Sequence, residues 1–182
     1  MLQALPAAAL TADEARTFVQ GVTDEMLAIV QASTPDDPRV EQFLELFRRT
    51  AALDAIGRFT LGPHWRGMTE AQQGAFLAAF ERYASRVYAN RVGDYNGQRL
   101  EIIGVQDVGR RGMLVRSRLR QPGAADIALD WLVSDRGGDT RIVDIVAEGV
   151  SLSIAQREEF AGMIERRGGD FDRFIRDLDT LG

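Results

Sequence analysis

The sequence contains no cysteine, and its only histidine is His64. The absence of cysteine excludes disulfides, thiolate metal sites and cysteine nucleophiles. A transition-metal centre needs several histidine, cysteine or carboxylate ligands at suitable spacings, and one histidine without an aspartate-rich loop does not supply them. We therefore expect neither a metal nor another cofactor.

Further absences limit the partners and reactions of the chain. No apolar run approaches the ~20 residues that span a bilayer. The formal net charge of -5 disfavours general attraction to nucleic acid or to anionic lipid surfaces. The sequence also lacks a G-x-S-x-G nucleophile elbow, a P-loop and a dinucleotide-binding fingerprint. We expect no nucleic-acid partner and no stable membrane insertion.

The first ten residues, MLQALPAAAL, are apolar but have no basic segment in front of them. A complete signal peptide needs such a basic segment. We interpret residues 1–10 as the remnant of a trimmed signal sequence or as a disordered N-terminus, and an ordinary cytosolic N-terminus is the alternative. Residues 11–182 are long enough to form one domain with a sizeable core.

The part of this domain from residue 11 to residue 95 is predicted to be helical. Thr11 begins a capping box of the form T-x-x-E, and Thr69 is the expected N-cap of a long helix. Two shorter helices are expected between these caps, with a break at Gly62-Pro63. Apolar and aromatic residues recur every three or four positions on one face of the long helix. They are Phe76, Phe80, Tyr83 and Val87.

Between residues 98 and 148 the apolar period changes to two, which is typical of strands. Four strands are expected here, followed by two helices within residues 151–181. One face of the strands is apolar and the other largely charged, so helices must cover a single side of an antiparallel sheet. Gly104 indicates a bulge that would curl the first strand. The predicted fold class is α+β: a curved antiparallel four-stranded sheet wrapped by N- and C-terminal helices, with a helical subdomain.

Three residues invite a catalytic interpretation that the sequence does not support. His64 has no orienting carboxylate near it in the sequence, and a histidine acts as an acid, base or ligand only with such partners. We interpret His64 and Trp65 as the joint between a short and a long helix. Ser151 and Ser153 follow a glycine at a helix start, where serine is expected as a cap.

Asp130 and Asp144 carry the main enzymatic alternative, because each lies within an apolar strand. A carboxylate buried in a curled sheet can have a raised pKa and act as a general base. Solvated strand charges are the commoner outcome. Arg116, Arg118 and Arg120 are likewise interpreted as a solvated face that guards the sheet against edge pairing. A basic patch for an anionic partner is the alternative for these arginines.

Three stretches carry a resemblance to a known family. The first, IGRFTLGPHWRGMTEAQQGAFLAAFERY, contains the run G-R-[FY]-T-L-G-x-x-W-R, then T-x-x-Q, then F-x-x-x-F. The others are YANRVGDYNGQRLEI, and DIVAEGVSLSIAQREEFAGMIERRGGDFDRFIRDL. In order and spacing these stretches resemble the MlaC family, the toluene-tolerance auxiliary components that carry phospholipid across the periplasm of Gram-negative bacteria. The family has a tyrosine before Arg157, where this chain has Gln156.

The resemblance implies an NTF2-like curved sheet with an added helical portion and a deep apolar pocket that takes acyl chains. It also implies a soluble periplasmic carrier without catalysis, whose cargo is a diacyl phospholipid. The partners implied are an inner-membrane Mla-type ABC transporter complex and an outer-membrane lipoprotein–porin complex. We expect the carrier to be a monomer.

The residues expected to line the pocket follow from periodicity, since no family motif assigns them. Four are those of the aromatic helix face, and the others are the inward residues of the strands. A solidly filled core is the alternative. The full expected lining is Phe76, Phe80, Tyr83, Val87, Leu100, Ile102, Met113, Val115, Leu119, Ile127, Leu129, Trp131 and Ile145.

Two other functions remain open at the level of the sequence. One is a carrier of the same family for a hopanoid or another sterol-like lipid. The other is an NTF2-like isomerase or dehydratase, which requires a buried Asp130 or Asp144 facing a cavity.

Overall fold

The structure, a computed structural model, describes residues 10–32, 39–92 and 97–181. The interpretation of residues 1–10 therefore lies almost entirely outside the described residues. Leu10 is the exception: its side chain is buried, and its backbone N–H donates a hydrogen bond of 3.0 Å to the Asp135 carboxylate.

The described residues form six α-helices, four of which precede the sheet. A 3-10 helix at Gly62–Gly67 joins the third helix to the fourth, so Gly62-Pro63 changes the type of helix instead of ending helical structure. The two C-terminal helices follow the sheet as predicted. The helices are α1 (Ala12–Ala32), α2 (Arg39–Thr50), α3 (Leu53–Leu61), α4 (Glu70–Val92), α5 (Leu152–Arg166) and α6 (Phe171–Leu178).

Side chains satisfy the free backbone N–H groups at the helix starts, as the sequence predicts. The Thr11 hydroxyl accepts from the Glu14 N–H at 3.3 Å, and the Glu14 carboxylate accepts from the Thr11 N–H at 2.8 Å. The hydrogen bond from the Thr11 N–H, followed by one that the Thr11 hydroxyl donates to the same carboxylate at 2.7 Å, lowers the pKa of the Glu14 carboxyl. Thr69 and Gln72 form the same reciprocal pair at the start of α4.

The sheet is antiparallel throughout, in the order β1-β2-β3-β4-β5. The prediction of four strands misses β5, which is too short to carry a period of two. β5 pairs with β4 across a tight turn at Glu148 and Gly149, both of which have positive φ. The strands are β1 (Arg99–Asp107), β2 (Met113–Arg120), β3 (Ile127–Ser134), β4 (Arg141–Ala147) and β5 (Val150–Ser151).

Two irregularities bend the sheet. The register of β1 against β2 shifts between Ile102 and Gly104, which confirms the bulge predicted near Gly104. The register of β3 against β4 also shifts, between Leu132 and Val133. Bulges increase the local twist of a strand, so both help to curl the sheet around what covers it.

The apolar residues form two clusters. The first cluster lies among the helices and is rich in aromatic side chains. At its centre the ring centroids of Phe160 and Phe174 lie 5.3 Å apart. The second packs α1 against the sheet, with Val19 and Val22 of the helix on residues such as Val115. Space between these clusters is where a ligand cavity could form.

One residue of the predicted core lies on the surface. The helical spacing of Ile154, Phe160 and Ile164 predicts that all three are buried, but Ile154 is 50% exposed. It stands in the first turn of α5, on the outer side of the helix start that Ser151 caps. Phe160 and Ile164, further along the same helix, are buried as predicted.

Candidate functional site

Two adjoining cavities lie between the sheet and the helices. The first, here called the helical cavity, has a volume of about 230 Å³ and lies among α1 to α5 and strands β3 and β4. The second, the sheet cavity, has a volume of about 870 Å³ and lies between α1 and strands β1 to β4. The larger volume falls within the ~300–1,000 Å³ that is usual for ligand sites. Most of the lining side chains are aliphatic or aromatic.

Nine of the thirteen residues expected to line a pocket do line these cavities. They come from both predicted sources, the aromatic face of α4 and the inward faces of the strands. Phe80, Tyr83 and Val87 line the helical cavity, and Leu100, Leu119, Ile127 and Leu129 line the sheet cavity. Trp131 and Ile145 line both.

The other four predicted residues pack against the two apolar clusters instead of lining a cavity. Phe76 is fully buried in the aromatic cluster, stacked on Phe80 at 5.8 Å and on Phe174 at 6.0 Å. Val115 is fully buried under α1. Ile102 and Met113 pack against the same cluster as Val115. None of these four residues lines either cavity, so their contact with a lipid stays a prediction.

Helix α1 supplies lining residues that periodicity did not assign to a site. Met26 lines both cavities, Val22 the helical cavity and Leu27 the sheet cavity. The helical spacing of Phe18, Val22 and Leu27 predicts an apolar stripe on α1. What the sequence did not reveal was that this stripe faces open space along the C-terminal half of the helix.

A hydrogen bond fixes the indole ring between the cavities. Trp131 is 3% exposed, and its Nε1–H donates to the Ser117 hydroxyl oxygen at 3.1 Å. The Ser117 hydroxyl donates in turn to the Leu129 carbonyl oxygen on the neighbouring strand. Because buried N–H groups need partners, this chain of bonds holds Trp131 in one orientation.

Polar side chains lie at one edge of the helical cavity. The Tyr83 hydroxyl donates to the Gln156 side-chain oxygen at 3.1 Å, and the Gln156 amide donates to the Glu159 carboxylate at 2.8 Å. Asp144 also lines this cavity. The polar edge therefore carries negative charge.

The polar edge of the sheet cavity carries both signs of charge. Gln20 and Asp24 of α1 lie there, joined by a hydrogen bond of 2.8 Å. Arg99, at the start of β1, lies there too. Among the described lining residues of both cavities, Arg99 is the only cationic side chain.

The two strand carboxylates hold structural positions. Asp130 accepts from the Ser117 N–H at 3.3 Å and lies 3.9 Å from the Arg116 guanidinium. Asp144 accepts from the Ser153 N–H at 3.2 Å and from the Ser151 hydroxyl, which organises the start of α5. The serines thus act as predicted, at a helix start, and Ser151 caps α5.

The region around His64 forms the predicted joint between α3 and α4. The half-buried His64 ring lies 6.3 Å from the Phe171 ring, and the Arg58 guanidinium lies over Trp65 at 5.2 Å. Within the described part of the chain, no group of three or more histidine or acidic side chains could hold a metal ion. In the same ranges no helix combines the length and apolar character needed to cross a bilayer.

The arginines of β2 are exposed, as expected, but they do not guard an edge. β2 lies between β1 and β3, so the edge-protecting interpretation is wrong. Arg120 instead bonds Glu101 and Asp126. The hydrogen bond to Glu101, followed by the charge of Asp126, raises the pKa of the Arg120 guanidinium.

Fold and cavities together define an α+β protein with a divided apolar site between a curved sheet and its covering helices. The chain belongs to the MlaC family: the family described as MlaC protein matches residues 20–180.

Two related proteins have names that concern lipid transport or solvent tolerance. The toluene tolerance protein ttg2D of Pseudomonas putida is 25% identical over 96% of this chain and 84% of its own length. The intermembrane phospholipid transport system binding protein MlaC of Haemophilus influenzae is 22% identical over 84% of this chain and 76% of its own length.

A solved structure has the same fold. It is the phospholipid-binding protein of Ralstonia solanacearum in complex with a phospholipid, with a TM-score of 0.74 and 23% identity. The likeness covers 91% of this chain and 95% of that protein. It confirms the mixed helix and antiparallel-sheet architecture predicted from the sequence.

We predict that Ser117→Ala lowers the free energy of unfolding by about 1–3 kcal/mol, because the buried Trp131 N–H loses its acceptor. Urea unfolding followed by circular dichroism measures this loss. In a Trp131→Phe background, which has no indole N–H, the same substitution should cost distinctly less. Equal losses in both backgrounds would show that the bond does not hold the ring.

Proposed function

We propose that this protein is a periplasmic carrier that binds a phospholipid by its acyl chains and shuttles it between membrane complexes. In this proposal the donor and acceptor are an inner-membrane Mla-type ABC transporter complex and an outer-membrane lipoprotein–porin complex. The pair of adjoining apolar cavities is the observation that carries the proposal. Family membership and the names of the relatives support it.

The binding site comprises the nine predicted residues that line the cavities, with Met26, Leu27 and Leu152 added from the structure. The sheet belongs, in this proposal, to the NTF2-like type, extended by a short fifth strand. We also propose that the carrier acts as a monomer, since a single chain supplies both cavities.

The charges at the two polar edges orient the cargo. A phosphate is disfavoured at the helical cavity, where Asp144 and Glu159 are anionic. Arg99 at the edge of the sheet cavity attracts it instead. The headgroup is therefore placed at the mouth beside Arg99, with the acyl chains directed inward past Trp131.

Transfer from a bilayer makes such a carrier energetically workable. Burying acyl chains from water contributes about 0.8 kcal/mol per CH₂. Two chains would then exceed the practical ceiling of about 20 kcal/mol for non-covalent affinity. In the bilayer, however, the tails are already out of water, so the exchange between membrane and cavity is close to balanced. Small differences at the docking partners then set the direction.

The division of the space favours a flexible diacyl lipid over a hopanoid or other sterol-like cargo, because a rigid fused-ring system would not follow two adjoining cavities. Of the two aspartates that the enzymatic alternative considers, only Asp144 lines a cavity. Its carboxylate already accepts hydrogen bonds from the Ser153 N–H and the Ser151 hydroxyl, which disfavours a role as a general base. Mass spectrometry of the lipid bound to protein purified from a bacterial host distinguishes these cargoes. Mixed diacyl phospholipids are expected, and a sterol-like lipid or a polar metabolite in their place would overturn the proposal.

We predict that Val87→Glu lowers phospholipid occupancy by at least about tenfold, because an unpaired carboxylate would face the apolar helical cavity. Lipid extracted from the purified variant and counted per protein measures the change. The matched control is Ala78→Glu, which places the same charge on the exposed side of α4. Undiminished lipid in Val87→Glu, with a folded circular dichroism spectrum, would contradict the assignment.

We also predict that Arg99→Gln weakens binding of an anionic phospholipid by up to about fivefold, the usual worth of an exposed ion pair. Competition between phosphatidylglycerol and a neutral diacylglycerol of the same chains isolates the headgroup contribution. Arg118→Gln removes an exposed arginine from the outer face of β2 and should leave the competition unchanged. If both variants kept the same preference for phosphatidylglycerol over diacylglycerol, Arg99 would not be part of the headgroup site.

A further inference from the structure

The two cavities share a wall made of four side chains. Met26 of α1, Trp131 of β3, Ile145 of β4 and Leu152 at the start of α5 each line both of them. Any acyl chain that extends from the sheet cavity into the helical cavity must therefore pass these four residues.

Two of the four residues are fixed by the sheet. Trp131 and Ile145 are paired directly across β3 and β4. Trp131 is also held by its hydrogen bond to Ser117. The β-branched side chain of Ile145 has few rotamers available on a strand. This half of the wall is rigid.

The other two residues belong to helices, and of these Met26 has the more adaptable side chain. Met26 is partly buried and packs against both apolar clusters of the protein. Its unbranched thioether chain has three rotatable bonds, which lets methionine fill gaps of different shape. Leu152 is the first residue of α5 and is also partly buried.

We propose that Met26 and Leu152 form an adjustable partition that determines how long an acyl chain this protein accepts. With the partition closed, a chain is confined to the sheet cavity. When Met26 rotates aside, the chain end continues into the helical cavity beside Phe80 and Val87. The inference rests on the proposed function and deepens it, since it names the residues that select among phospholipids.

The size of the effect follows from the apolar transfer free energy. Each methylene that finds no room in the protein and remains in water lowers occupancy by about fourfold. A partition that closes off the helical cavity therefore discriminates against long chains. Removal of the partition should favour long chains.

The experiment loads the full-length protein with phosphatidylcholines of different chain length. The protein is delipidated in detergent and reloaded from an equimolar mixture whose members carry two chains of fourteen, sixteen, eighteen or twenty carbons. Mass spectrometry then gives the bound composition. We expect Met26→Trp to lower the ratio of longest to shortest species by at least about tenfold relative to the wild type. We expect Met26→Ala to raise that ratio by about fourfold.

Ala28→Trp is the matched control, because it adds the same bulk on the exposed side of α1 and should keep the wild-type ratio. Should Met26→Trp fail to fold, Met26→Ala decides the question alone. Unchanged ratios in the folded Met26 variants, while the wild type binds phospholipid, would overturn the partition and leave the carrier proposal standing. A wild type that takes up none of the mixture would instead overturn the carrier proposal.

Discussion

The packing of helix α1 against a bent sheet is the constraint from which the binding site follows. The N-terminal half of α1 touches the sheet closely, and Ala15 and Val19 are fully buried there. Bulges bend β1 and the β3–β4 pair, so the contact does not continue along the whole helix. Toward its C-terminal half α1 faces the sheet cavity through Leu27 and its neighbours.

A protein with a large internal space must obtain its stability elsewhere, since atoms that line a void lose dispersion contacts. Here a separate aromatic cluster supplies dense packing. The rings of Phe76, Phe160 and Phe174 lie within 6.1 Å of one another between centroids. The helical cavity lies between this cluster and the one beneath α1, and the sheet cavity adjoins the cluster beneath α1. Stability and binding are thus assigned to adjacent but different parts of the interior.

The sequence predicted the elements well because their signals are local. The caps at Thr11 and Thr69, the bulge at Gly104 and the inward faces of the strands all depend on residues close together in the chain. Whether an inward residue meets a void depends on distant residues. Phe76 and Phe80 share one helix face, yet Phe174 comes beside Phe76 while Phe80 borders the helical cavity. Periodicity predicts which face of a helix or strand a residue lies on. It does not predict whether side chains of other elements fill the space that this face borders.

The central claim is that the two cavities accept acyl chains, and the location of a bound chain tests it most directly. A crystal structure of the protein loaded with a phospholipid brominated along its acyl chains would give anomalous peaks at the bromine atoms. The account predicts peaks inside the sheet cavity, near Trp131, and in the helical cavity beyond Met26 for the longer chains. Peaks confined to the outer surface, with both cavities closed by side chains, would contradict it.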